Sequence, residues 1–326
     1  MTPQHNETTD VSAQAPAHAE MLGLIEHGLF ADRPSLPAML HYDERGSDLF
    51  EEICEQPEYS ITRTETEIMR SHIGSIADAI GPGTAVVEPG SGASLKTEIL
   101  LGGLESCAAY VPIDISDAML QLAADRVNER FPEIPVIGVH ADFTKPVSFP
   151  DEADLGRRRL VYVPGSTLGN FDAATQRDVL RSFREDAGPD GMLLLGVDLV
   201  KPVADLEAAY NDLAGVTAEF NFNVIDRLRD ESGFTIDRDW FRFEARWDAD
   251  RQAIVSWLIA ERDATVIGPN GQELALTAGN AIHMEESHKY SDARIEPLAE
   301  SAGLRVHRRW SDPAESFGVY LLTVAD

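Results

Sequence analysis

Glu88-Pro89-Gly90-Ser91-Gly92 follows a short apolar run and precedes a helical stretch. Glycines at a strand-to-helix turn let the backbone bend sharply and approach a ligand with no Cβ in the way. Asp114 ends the next apolar run, 24 residues after Gly90. A carboxylate there can accept hydrogen bonds from both hydroxyls of a ribose. Asp142-Phe143 ends the run after that. Asp142 can take the amino hydrogen of an adenine, and Phe143 can pack on its ring face. Gly-x-Gly alone describes a loop, whereas the three features together describe a nucleoside site. Leu95 stands where a dinucleotide fingerprint has its third glycine. Glu88 beside the loop would repel a polyphosphate. A nucleoside ligand without phosphates, S-adenosylmethionine above all, fits this set better than NAD. Lys96 opens the following helix and, on spacing alone, reads as a solvated residue.

A second set lies late in the chain. His283, Glu286 and His288 could suggest a metal site, but their spacing matches no helical zinc motif. On a strand, alternation sends His283 and His288 to opposite faces, so no metal is expected. The same alternation places Glu285 and Ser287 on one face and turns Glu286 away from it.

The elements that must hold these residues alternate. Thr84–Glu88, Ala108–Ile113, Pro135–Val139, Leu160–Val163 and Met192–Val197 read as strands. Lys96–Leu104 and Ser116–Arg130 read as intervening helices, with Ser116 an N-cap. This alternation predicts a parallel α/β sheet whose ligands sit at the carboxyl ends of the strands. Glu20–Phe30 and Ala204–Leu213 also read as helical. Phe241–Trp247, Ala253–Ala260, Ala264–Ile267 and Glu273–Leu276 are short strands, with Pro269-Asn270-Gly271 as a turn. That meander does not belong in a doubly wound sheet and predicts a second lobe. A helix over Ala293–Ala302 and strands over Arg305–Trp310 and Gly318–Val324 return to the first sheet. The expected division is a disordered polar tail over 1–18, a lobe from 19–62 plus 200–289, and a sheet domain from 63–199 plus 290–326.

Composition excludes several classes. The chain has 326 residues, 27 basic against 56 acidic, for a net charge of −29. Phosphate backbones need cations to displace their counterions, so no nucleic acid is expected as partner. No apolar run approaches the ~18 residues that span a bilayer, so no membrane is expected either. The N-terminus carries no secretory pattern, and Cys54 and Cys107 form no disulfide framework. A cytoplasmic location with reduced thiols is expected.

His41-Tyr42-Asp43-Glu44-Arg45-Gly46-Ser47-Asp48-Leu49-Phe50, Pro57-Glu58-Tyr59 and Thr62-Arg63-Thr64-Glu65 resemble the early segment of the histidine Nα-methyltransferases of ergothioneine biosynthesis. So do Gly165-Ser166-Thr167-Leu168-Gly169-Asn170, Asp198-Leu199-Val200-Lys201, Ala209-Tyr210-Asn211-Asp212, Gly215-Val216-Thr217-Ala218 and Phe220-Asn221-Phe222-Asn223. Glu285-Glu286-Ser287-His288-Lys289-Tyr290 resembles the family's late substrate-binding block. The likeness runs in order from about residue 36 onward.

The resemblance implies a Rossmann-like class I methyltransferase, α/β with a doubly wound sheet, and a smaller α+β lobe that binds the amino acid. It implies S-adenosylmethionine bound by Gly90, Ser91, Gly92, Lys96, Asp114, Asp142 and Phe143, with Lys96 on the carboxylate of the methionine part. It implies free L-histidine bound by Tyr59, Gly165, Asn170, Tyr210, Glu285 and Ser287, with Tyr59 and Asn170 assigned the catalytic part. Singly, each of these has a plain structural reading as a packed aromatic, turn residue or strand residue. The expected product is the trimethylated betaine hercynine, and no obligate protein partner is expected. Pro89 departs from an expected apolar residue, Glu286 adds a second acid, and Ser256 stands where a family member carries methionine. The competing readings are an enzyme of the same fold acting on another amino acid or small amine, and a non-catalytic protein that binds S-adenosylmethionine.

Overall fold

The computed structural model describes residues 18–91, 95–149, 155, 156 and 158–325. All but the last position of the tail expected over 1–18 lies outside the described residues, as does Gly92. The chain opens with helices α1 (His18–Leu29), α2 (Glu44–Glu55) and α3 (Ile61–Ile80). It then alternates through β1 (Thr84–Pro89), α4 (Leu95–Gly103), β2 (Cys107–Asp114), α5 (Asp117–Arg130), β3 (Val139–His140), β4 (Arg158–Val163), α6 (Ala173–Ala187) and β5 (Met192–Asp198). Helices α7 (Val203–Tyr210) and α8 (Val216–Glu231) lead to strands β6 (Phe241–Asp248), β7 (Ala253–Ala260), β8 (Ala264–Ile267), β9 (Glu273–Leu276) and β10 (Ala281–His288). Helix α9 (Asp292–Ser301) and strands β11 (Leu304–Ser311) and β12 (Phe317–Val324) follow.

Two compact units result, one from Ile61–Val200 with 290–325, the other from 18–60 with Lys201–Lys289. The first is built on a seven-stranded sheet in the order β11-β12-β5-β4-β1-β2-β3. Strands β3, β2, β1, β4 and β5 are parallel, and β12 runs antiparallel to both its neighbours. Every residue of β1 and β5 is buried, as a strand covered on both faces requires. Strand order reverses between β1 and β4, which opens a crevice at their carboxyl ends. Local chemistry fixes the helices that bound it. Ser116 Oγ caps α5 by accepting from the Met119 amide at 3.4 Å. Asp172 caps α6 by accepting from the amides of Ala174 and Thr175.

One strand departs from expectation. Pro135–Val139 is not continuous: Pro135 and Ile137 each bond Tyr110, and the regular ladder resumes at Val139–His140. Proline has no amide hydrogen to give such a ladder.

The second unit holds a three-stranded antiparallel sheet, β10-β7-β6, and the β8–β9 hairpin. Gly271, at φ +78, turns that hairpin after Pro269-Asn270. Its core gathers Ile25, Leu29, Val224, Leu228, Phe234, Leu258 and Met284. Buried His41 locks the early segment to α8, its Nε2 lying 3.2 Å from Asn221 Oδ1 and its ring stacking on Phe220. Asp43 caps α2 through the Gly46 amide and also accepts from Asn223 Nδ2. A Cβ at Gly46 would collide with the His41 carbonyl, so the position tolerates glycine alone. No described helix is long and apolar enough to cross a membrane.

Candidate functional site

In the first unit, the carboxyl ends of β1, β2 and β3 carry the residues that sequence assigns to the nucleoside. Gly90 leaves β1 at φ +66, with its amide bonded to the Ile113 carbonyl at 2.7 Å. A Cβ on Gly90 would stand 3.2 Å from the Phe143 ring, so a side chain there would fill the space over that ring. Phe143 itself is braced by Phe171 and Phe183. Asp114 accepts from the Ser116 amide, which turns the chain at the end of β2. Asp142 makes the same kind of turn, accepting from the Thr144 amide and hydroxyl, with Lys145 3.3 Å from its other oxygen. Ser91 is buried, its hydroxyl without a hydrogen-bond partner among the described residues. An aromatic face beside a glycine and two carboxylates at successive strand ends fits an adenosine group on its own chemistry.

Beneath this corner lies a buried polar cluster that spacing does not reveal. Glu88 is fully buried and accepts from Thr97 Oγ1 at 2.7 Å and Tyr110 Oη at 2.6 Å. Burial pushes its carboxyl up to about 7, against the lowering effect of those two bonds. Its carboxylate thus ties β1 to α4 and β2. Lys96 is no solvated residue: it is buried and donates to Glu65 Oε2 at 2.5 Å.

The loop after β4 holds Gly165 at φ +75 and Ser166 at φ 60, and Ser166 Oγ accepts from the Asp198 amide. These two take the left-handed conformations, and Asn170 closes the short 3-10 helix that follows. Asn170 itself takes no positive φ. Its half-buried amide has no hydrogen-bond partner among the described residues.

In the second unit, β10 and α7 bring together Tyr210, Ser287 and Glu285. Tyr210 Oη lies 2.7 Å from Ser287 Oγ. The buried Lys289 ammonium donates to both, at 2.8 and 2.9 Å, and sits 4.6 Å from the Tyr210 ring. The lysine gives protons to both hydroxyls and one hydroxyl gives to the other, which polarises the pair. Tyr59 is buried edge-on to Tyr210, 6.2 Å between centroids, and to Phe50. Neighbouring residues hold Tyr210 in place. Asn211 bonds both the amide and the carbonyl of Ala245, and Asp212 accepts from the first amides of α8.

Glu285 is half-buried and has no hydrogen bond or ion pair among the described residues. Burial, then the charge of Glu285, pushes the Tyr42 hydroxyl well above its usual range, so Tyr42 stays a donor. Ser256 is directly opposite Glu285 on β7, buried, with its hydroxyl unpartnered among the described residues. Residues opposite one another share a sheet face, so the departure at Ser256 lies on the Glu285 face.

One expectation fails here. His283 and His288 do not point to opposite faces. A bulge between His283 and Glu285 adds a residue to β10, which returns His283 to the face of Glu286 and His288. Glu286 receives His283, His288 and Arg251 there, at 3.5, 2.9 and 2.9 Å. Among the described residues no group of acids, histidines and cysteines has the geometry to hold a metal. Sequence reasoning gives no role to Glu65, Tyr42 or Lys289, although all three stand inside the recognised segments. The missing signal is burial: a glutamate or lysine in a helix or strand end reads as solvated.

The switch-point sheet with its antiparallel β12 and the adenosine-shaped corner define an S-adenosylmethionine-dependent methyltransferase. The chain matches the family model described as histidine-specific methyltransferase, SAM-dependent, over residues 21–324, and it belongs to that family. It is 37% identical to the histidine N-alpha-methyltransferase of Mycolicibacterium smegmatis, over 91% of this chain and 92% of that protein. Identity to the protein of the same name from Mycobacterium tuberculosis is 35%, over 90% and 92%. The ergothioneine biosynthesis protein 1 of Neurospora crassa is 30% identical over 88% of this chain, which spans 33% of that longer protein.

Proposed function

We propose that the chain methylates the α-amino group of free L-histidine, in successive rounds that end at hercynine, the first step of ergothioneine biosynthesis. One observation carries the choice of substrate: a half-buried carboxylate, Glu285, stands without a partner beside a lysine-polarised pair of hydroxyls. A buried acid left open costs stability and is explained by a ligand N–H. On this reading Glu285 and Ser287 hold the imidazole, while Tyr210 and Asn170 donate to the α-carboxylate. A site built to bond an imidazole N–H rejects amino acids that lack it. Tyr59 and Asn170 are assigned to the reacting amine, and Gly165 to the bound amino acid. Residues 61–200 with 290–325 act as the cofactor domain, and 18–60 with 201–289 as the substrate lobe.

S-adenosylmethionine supplies a methyl group on a sulfonium, and its sulfur keeps the electron pair as a neutral thioether. The chain's own residues align the amine and exclude water, and alignment is the largest part of such a rate. Gly90, Ser91, Gly92, Asp114, Asp142 and Phe143 hold the nucleoside and Lys96 the carboxylate. The new N–C bond uses the amine lone pair, so the ammonium proton must first go to solvent. A free α-amino group, with pKa ~8, supplies enough neutral form without a strong base. Aromatic faces at Tyr59 and Tyr210 suit the cation that grows with each round. Cys54 and Cys107 are not joined in a disulfide, which fits a reducing, cytoplasmic setting.

Turnover across a panel of free amino acids and small amines, read by mass spectrometry of the products, tests the proposal. Methylated histidine should dominate. S-adenosylmethionine bound tightly with no methylated product would leave a binding protein, and a different preferred amine would move the substrate.

A further inference from the structure

Glu65 lies in the second turn of α3 and is fully buried. A carboxylate placed there costs free energy unless its oxygens are met by donors. One oxygen, Oε2, meets two: the Lys96 ammonium at 2.5 Å and the Gly165 amide at 2.8 Å. The other, Oε1, has no hydrogen-bond partner among the described residues and lies over Gly196 of β5, where a Cβ would collide with it. A purely structural ion pair would spread donors over both oxygens. Here the carboxylate is set by what it holds, and its own second oxygen is left unsatisfied.

What it holds are the two sides of the switch-point crevice. Lys96 stands in the first turn of α4, after the loop of β1, and Gly165 begins the loop of β4. The contact to Glu65 aims the Lys96 side chain, and an ammonium has three donors, of which this contact uses one. We propose that Glu65 is a positioning residue for the amino-acid end of the methyl donor, aiming the Lys96 ammonium while fixing the Gly165 amide. The inference rests on the reading of Lys96 as the cation that takes the donor's carboxylate.

Two ligands separate this role from a scaffold role. S-adenosylhomocysteine carries the amino-acid end, and 5′-methylthioadenosine has the same nucleoside and thioether without it. Binding of each is measured by titration calorimetry on the full chain, with no histidine present. Glu65→Gln should weaken S-adenosylhomocysteine about tenfold or more, the size of one bond to a charged group. Affinity for 5′-methylthioadenosine should stay within about twofold, since its contacts are untouched. Lys96→Met should show the same split and add little to Glu65→Gln in the double variant. Gly196→Ala, which displaces Oε1 with Glu65 unchanged, should copy it. Equal losses for both ligands in Glu65→Gln, or no loss, would overturn the proposal. If Lys96→Met shows the split and Glu65→Gln does not, the role of Glu65 alone falls. If Lys96→Met leaves S-adenosylhomocysteine intact, the reading of Lys96 falls, and the proposal with it.

Discussion

Glu285 and Glu286 are neighbours on β10 with opposite surroundings. Glu286 has Arg251, His283 and His288 around it. Glu285 has no hydrogen bond or ion pair among the described residues, yet it is half-buried on the face that carries Ser287. One face of the strand is closed on itself and the other is open. Polar satisfaction separates a carboxylate that builds the fold from one that waits for a ligand. Glu88 extends the contrast, for it is more deeply buried than either and fully engaged by Thr97 and Tyr110.

The sharpest way to break this comparison is to remove each acid in turn. Glu285→Ala should raise KM for histidine about a hundredfold, the size of a charged bond lost with its selectivity. S-adenosylhomocysteine affinity should stay within about twofold. Glu286→Ala should leave KM nearly unchanged and lower the melting temperature. Steady-state kinetics with melting curves decides, and equal effects on KM would erase the distinction between the faces.

Glu88 gives a pH test. Its folded carboxyl titrates near 7, above the ordinary 4.5, because burial favours the neutral form. The stability it contributes is fully present below the unfolded value and is lost as pH rises through about 7. Between pH 5 and 8.5 the wild type should lose on the order of 2–3 kcal/mol relative to Glu88→Gln. Asp186, raised to about 7 by burial, shifts both proteins alike and cancels. Denaturant titrations at the two pH values measure the difference, and parallel pH profiles would show that Glu88 is charged throughout.

Lys289→Met sharpens the open face. Without the ammonium, Tyr210 and Ser287 become weaker donors, and KM for histidine should rise about tenfold. Cofactor affinity should hold, and a loss there of the same size would mean a collapsed unit. The smallest effect is expected at Ser256. Ser256→Ala removes a buried unpartnered hydroxyl, so the free protein should gain about 1 kcal/mol of stability. If that hydroxyl also meets the substrate, KM rises a few-fold, and an unchanged KM would place Ser256 off the bound amino acid.

Much of the frame was legible because it depends on short-range rules. Buried runs such as Met192–Val197 announce parallel strands, Ser116 announces a cap, and Pro269-Asn270-Gly271 announces a turn. The break after Ile137 and the bulge before Glu285 were not legible, since each depends on how a neighbouring strand pairs. The bulge alone reversed the expected face of His283. At the site, residue types with distinctive chemistry could be read by position. Glu65 and Lys289 could not, because their meaning lies in burial and in partners distant along the chain, such as Gly165, 100 residues from Glu65. Lys96 was legible through resemblance and misread by spacing, for the same reason.

The position of β12 has a consequence for how the protein is made. It lies between β5 and β11, yet β5 ends at Asp198 and β12 begins at Phe317, 119 residues later. At ribosomal speeds that gap lasts roughly 6–24 s. Throughout it, one edge of β5, a strand buried at every position in the finished sheet, has no partner. The unit of 18–60 with 201–289 is completed within that interval, while the β11–β12 hairpin must arrive as a wedge and seal the edge before another strand does.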